Sequence, residues 1–317
     1  MGYSINHIED NGLNLVLLKD ELNSTEVAIL PEFGALLHSF RIRGRDRSVN
    51  VIDNYRDLLQ VQNEIGRSFK SARLSPYPCR IPEGKYVYEG APAEFNRKFV
   101  DGSSIHGLLY DKPFKVLQEF VNDQMASVSL QYRYEKDDLA YPFKYDCRVK
   151  YSLQGDSILR VETTVTNQSD GPIPIADGWH PYFQLGGKID EWMLYFDSDS
   201  LIEFDEKLIP TGKLIKYDQF QRLQKIGTTE LDNCFVLKDS NGHAVCELIN
   251  PQNNLKVSFY PDRAYSYLQI FTPPHRKSIA IENLSAAPDC FNNKMGLILL
   301  PPGDSQSFTV RYRVSWS

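Results

Sequence analysis

The chain has 317 residues, a formal net charge of −6, 42% hydrophobic and 24% charged residues, with a sequence pI of about 5.6. That balance is ordinary for a soluble globular chain. It shows no Lys/Arg-rich run of the kind that marks a nucleic-acid footprint and no apolar stretch of about 18 residues that would span a membrane. Met1 to Asn6 lack the basic-then-apolar layout of a secretory leader. The five cysteines, Cys79, Cys147, Cys234, Cys246 and Cys290, are scattered without a C-x-x-C pair. A cytoplasmic, reducing location is therefore expected.

Taken in chain order, the first periodic segment is a weak helical pattern over about Asp53 to Ile65, where Leu58, Leu59 and Val61 alternate with polar neighbours. It predicts a short surface helix. Period-two alternation then takes over. Val128, Leu130, Tyr132 and Tyr134 share one face of a strand. Tyr145 to Tyr151 and Leu159 to Val165, separated by Gly155-Asp156-Ser157, form an antiparallel hairpin with one buried and one wet face. Phe308, Val310, Tyr312, Val314 and Trp316 repeat the pattern at the chain end. No Pro- or Ser-rich linker and no internal repeat divides the chain, so the expectation is one all-β domain over 1–317.

The residues able to do chemistry are few. There are no H-E-x-x-H, G-x-S-x-G, P-loop or G-x-G-x-x-G motifs, so the usual metalloprotease, hydrolase and nucleotide readings have no support. His180 lies in Trp179-His180-Pro181-Tyr182-Phe183; the following proline biases it to extended geometry. An imidazole among aromatic rings suits either a sugar site or a hydrogen-bonded core position. Glu282 ends Ser278-Ile279-Ala280-Ile281. Poor hydration there would raise its pKa toward a useful base, unless the side chain turns out to water. Arg80, in a Pro-punctuated loop, either grips hydroxyls with its fork of donors or is a surface charge. Asp232 either accepts from hydroxyls or serves a turn.

The order of these residues carries more than any one of them. Arg80-Ile81-x-x-Gly84-Lys85-Tyr86, Ile105-His106-Gly107, His180-Pro181-Tyr182-Phe183-x-Leu185, Pro210-Thr211-Gly212, Asp232-x-x-Phe235, Leu268-Gln269-x-x-Thr272 and Ile281-Glu282 follow one another. This succession resembles the aldose 1-epimerase family from about residue 30 to the end. The resemblance implies a galactose-mutarotase-like β-supersandwich of mainly antiparallel sheets. It also implies interconversion of the α and β anomers of a free hexose such as galactose or glucose. By the same resemblance, His180 is the general acid and Glu282 the general base, while Arg80, His106, Asp232 and Gln269 position the sugar. The partner implied is a small-molecule sugar, with no cofactor, metal, nucleic acid or membrane, in a monomer or homodimer.

The chain also departs from the family pattern. Cys79 stands where Asn usually precedes the Arg-Ile pair, and Leu108 stands where a Gly is expected. Two alternatives remain at this level: a hexose-6-phosphate mutarotase, and a non-catalytic sugar-binding protein of the same fold. For the first, Lys70, Arg73, Arg276 and Lys277 are either phosphate ligands or ordinary surface cations. A glycosidase on a related scaffold ranks lower, since it needs two carboxylates flanking the bond.

Overall fold

The strongest period-two segments build the centre of the largest sheet. In the computed structural model, which describes residues 2–44, 48–239 and 242–316, Lys144–Gln154 and Ile158–Asn167 pair antiparallel, with Lys150 opposite Glu162 and Tyr151 opposite Val161. Met125–Glu135 flanks them on one side and Ser305–Trp316 on the other. The charged residues face water and the apolar ones face inward, as the pleat requires.

Among the described residues this sheet has nine strands, and a second has eight if the short strand Tyr182–Phe183, paired beside its main path, is counted. A third sheet contains five strands, running from Tyr3–Asp10 to Ser48–Asn50. Strand accounts for 51% of residues and helix for 7%, so the chain is all-β and predominantly antiparallel.

Alternation along the central strands of the eight-stranded sheet divides two apolar cores. Trp179, Phe183, Phe235, Leu268, Ile270, Ile279 and Ile281 point into the main core, where they meet Phe259, Tyr312 and Val314 of the nine-stranded sheet. Trp179 Nε1 donates to Tyr312 Oη at 2.6 Å across this layer. Their sequence neighbours point the other way. Cys234, Leu284, Ala72 and Leu74 join a smaller cluster with Leu15, Leu17, Leu30 and the helix residues Val61 and Ile65.

The helix spans Leu58–Ser68, a few residues later than the periodicity predicts. Asp57 caps it, accepting from Gln60 N–H at 2.8 Å, which satisfies one of the orphan donors of the first turn. Residues before Asp57 are used elsewhere: Asp53 accepts from Lys70 Nζ at 2.8 Å and from Ser278 Oγ at 2.7 Å. None of the helices in the described residues is long and apolar enough to cross a membrane.

Candidate functional site

The second sheet turns its other face to an open cleft, and strand register explains which residues meet there. Gly178 pairs with Leu284 and Trp179 with Asn283; Tyr182 pairs with Ala280 and Phe183 with Ile279. One antiparallel register therefore runs through both short strands. Pro181, lacking an N–H, interrupts the ladder between them without shifting it, and its carbonyl accepts from Ile281 N–H at 3.3 Å. His180 is thus carried opposite Glu282. Gln269 lies opposite Glu282 on the next strand and Cys234 opposite Gln269 on the one after. Asp232 lies two residues from Cys234 and Phe271 two from Gln269, so both face the same way.

The result is a cleft of about 250 Å³ lined by Arg80, His106, His180, Asp232, Gln269 and Glu282, with Phe69, Phe99, Tyr182 and Phe271 as its apolar walls. All six residues singled out in the sequence are in this one place. His180 Nε2 lies 3.3 Å from a Glu282 carboxylate oxygen. Tyr182 stacks on the His180 ring with centroids 5.0 Å apart and planes 10° from parallel. His106 meets His180 edge-on at 5.0 Å and Phe69 at 4.6 Å. Gln269 Nε2 donates to Asp232 Oδ1 at 2.8 Å. Arg80 Nε donates to Asp101 at 2.9 Å, which holds the guanidinium at the cleft wall.

The backbone around His106 is unusual. Cys79 and His106 both adopt left-handed conformations, at φ +54° and +62°. Each brackets the other: His106 N–H donates to the Cys79 carbonyl at 2.9 Å, and Cys79 N–H donates to His106 Nδ1 at 3.3 Å. The latter bond leaves the ring proton on Nε2. Two non-glycine residues in this region are worth about 1–3 kcal/mol of strain each, a pattern that concentrates at functional sites.

Burial sets the protonation of the central pair. It pushes the His180 imidazole down to about 3. It pushes the Glu282 carboxyl well up, with Asp232 adding to the rise and Arg80 opposing it. Burial therefore favours the neutral imidazole and the protonated carboxyl, whose nearest polar atoms lie 3.3 Å apart. Nδ1 of His180 and Oε2 of Glu282 are buried without a hydrogen-bond partner, as is Gln269 Oε1.

The pair has a defined effect on folding. A depressed histidine costs stability as pH falls below its ordinary 6.5 toward about 3; a raised glutamate costs stability as pH rises above its ordinary 4.5. Between about pH 4.5 and 6.5 the folded and unfolded pairs each hold one proton, so the two slopes cancel. We expect the difference in thermal midpoint between wild type and His180→Asn/Glu282→Gln to be flat across that interval and to fall on either side. A single continuous slope through it would show that the folded pair holds either no proton or two across that interval.

The cations considered for phosphate lie elsewhere. Arg73 is buried on the core side, 5.4 Å from the Trp179 ring centroid and 3.0 Å from Thr163 Oγ1. Lys70 is paired with Asp53 at 2.8 Å. Arg276 bonds Asp190 and the carbonyl of Gly227, the latter at 2.6 Å. Lys277 is exposed and outside the lining. The arginines that do border the cleft are Arg67 and Arg80. Sequence reasoning missed Arg67 and the aromatic walls Phe69 and Phe99, which come from a helix end and a loop without any motif.

Comparison with known proteins bears on the fold and the family. The sequence model described as Aldose 1-epimerase matches residues 15–313. The Escherichia coli K12 protein YihR, described as uncharacterized, is 29% identical over 238 residues, covering 73% of this chain and 74% of its own. The bifunctional protein GAL10 of Kluyveromyces lactis is 27% identical over 184 residues, 53% of this chain; the match spans only 26% of that longer protein. Among solved structures, a galactose mutarotase-like protein from Clostridium acetobutylicum superposes with a TM-score of 0.89 at 17% identity, covering 100% of this chain and 99% of its own. Galactose 1-epimerase from Lactobacillus acidophilus superposes with a TM-score of 0.81 at 17% identity, covering 99% and 98%. These two show the fold, a galactose-mutarotase-like β-supersandwich. With the sequence match running over almost its entire length, the chain belongs to the aldose 1-epimerase family.

Proposed function

We propose that the protein is a mutarotase that interconverts the anomers of a neutral hexose such as galactose or glucose. The observation that carries this reading is the 3.3 Å approach of His180 to Glu282 on the floor of the cleft. Ring opening needs a proton taken from the anomeric hydroxyl and one delivered to the ring oxygen. A single side chain cannot serve both atoms well, whereas a neighbouring acid and base can.

In the proposed cycle the shared proton first moves from Glu282 to His180 across their contact. Glu282 then accepts the proton of the anomeric hydroxyl while His180 protonates the ring oxygen, and the bond between C1 and that oxygen breaks. Rotation about C1–C2 presents the other face of the aldehyde. Reclosure runs the transfers backward. Opening returns Glu282 to its protonated and His180 to its neutral form, the arrangement burial favours, so this step recovers what the initial proton transfer costs. Arg80, His106, Asp232 and Gln269 would hold the hydroxyls, and the aromatic walls would receive the C–H faces of the ring.

The test is polarimetry on freshly dissolved α-D-galactose and α-D-glucose, with glucose 6-phosphate as a third substrate. We expect the neutral sugars to reach anomeric equilibrium faster with protein than in buffer. Much faster turnover of the phosphorylated sugar would replace the neutral substrate and give Arg67 a role. No acceleration of any of the three would leave a binding protein.

A further inference from the structure

We propose that the same cleft is a binding site for a thiophilic divalent cation of the zinc class, held by Cys79 Sγ, a His106 ring nitrogen and the Glu282 carboxylate, and that cation and sugar exclude one another. Among the described residues these three form the one group whose potential ligand atoms converge, all lying within 4.8 Å of one another. Zinc bonds of about 2.0–2.3 Å place tetrahedral ligands about 3.5 Å apart. Closure of roughly an ångström would complete a three-ligand face.

Several features of the site favour a cation. Cys79 and His106 are already clasped by their two reciprocal contacts, so two ligands are presented together from one rigid corner. Glu282 arrives from the central strand with Oε2 buried and unpartnered. All three residues are buried, and a thiolate plus a carboxylate would neutralise the double positive charge, which makes it tolerable there. The thiol selects a soft ion over magnesium or calcium. Binding breaks the S–H bond and releases that proton, along with any proton on Glu282. It also frees Cys79 N–H from His106 Nδ1 if that nitrogen becomes the ligand. The fourth position faces the open cleft and takes water. The exclusion of sugar follows because Glu282 cannot serve as both ligand and base. That half of the inference rests on the sugar reading above; cation binding itself does not.

The experiment uses the full chain, reduced and stripped with chelator, titrated with cobalt(II). A thiolate-to-cobalt charge-transfer band in the near ultraviolet is expected to saturate at one equivalent and to be displaced by zinc. It should vanish in Cys79→Ser, require at least tenfold more cobalt in His106→Ala, and persist in Cys234→Ser, whose thiol lies two strands from Glu282 on the same face. Absence of the band, or its survival in Cys79→Ser, overturns the cation site whether or not the protein turns over sugar. Any sugar whose mutarotation the protein accelerates should then raise the cobalt concentration needed for half-saturation, and zinc should inhibit that reaction competitively. A titration unmoved by saturating sugar overturns the exclusion while leaving the anomer-exchange reading intact.

Discussion

His180→Ala and Glu282→Gln should each lower kcat by about 10² to 10⁴-fold, the usual worth of one positioned proton-transfer group. Each variant should keep the wild-type near-ultraviolet spectrum. The two losses should not add. In the proposed mechanism the side chains, 3.3 Å apart, act as one proton-transfer unit, and removing either member disables it. The double variant should accordingly be close to the weaker single one. KM is expected to move less than kcat, because Arg80, His106, Asp232 and Gln269, the hydroxyl-binding residues of the proposed site, remain in place. A variant of either residue that retained near-wild-type turnover would assign the chemistry elsewhere. Full additivity in the double variant would mean that the two act independently.

Gly107→Ala should be the most damaging small substitution near the cleft. Gly107 sits at φ +74°, and a Cβ there would lie 2.2 Å from the Ser75 carbonyl oxygen and 2.5 Å from its carbon. Both are backbone atoms, fixed by the hydrogen bond from Leu108 N–H to the Ser75 carbonyl at 2.7 Å, so no rotamer change relieves the clash. Strain from the positive φ and the overlap together should cost about 3 kcal/mol or more, read from the urea midpoint. The neighbouring His106 would be displaced with the turn, so KM should rise in whatever fraction folds. Gly102→Ala is the control. Its φ is +82°, yet nothing lies within 4 Å of the added carbon. It should lose only the conformational part, about 1 kcal/mol. Equal losses at the two positions would remove the contact with Ser75 from the explanation.

What could be read from the sequence follows a physical division. Strands such as Lys144–Gln154 and Ile158–Asn167 announce themselves because one face is buried and the other wet. The helix is placed early by its weak periodicity, since the pattern does not reveal that Asp53 is committed to Lys70 and Ser278. The six site residues are recognisable by their ordered motifs, but their meeting is not. His180 and Glu282 are brought together by a register that spans Pro181, and no local pattern encodes a long-range register. The same blindness covers Cys79: in the chain it looks like one more scattered thiol, and only the two left-handed residues Cys79 and His106 bring it beside an imidazole. Arg73 errs in the opposite direction. In the chain it reads as a phosphate ligand or, more readily, an ordinary surface cation, yet alternation in its strand sends it to the buried core side.

That alternation has a consequence for how such a protein can change over generations. Every cleft residue on the eight-stranded sheet has a chain neighbour committed to the main core: His180 beside Trp179, Gln269 beside Ile270, Glu282 beside Ile281. Inserting or deleting one residue in any of these strands would exchange the two sets, sending carboxylate and imidazole into the apolar layer. The polar cleft groups are therefore protected against length variation by the solvation cost of exchanging them with the apolar residues next to them. Arg67, Phe69, Arg80 and Phe99 lie at a helix end and on loops or a short edge pairing, where no such coupling operates. Sequence changes can accumulate at that rim while the central pair stays fixed in its register.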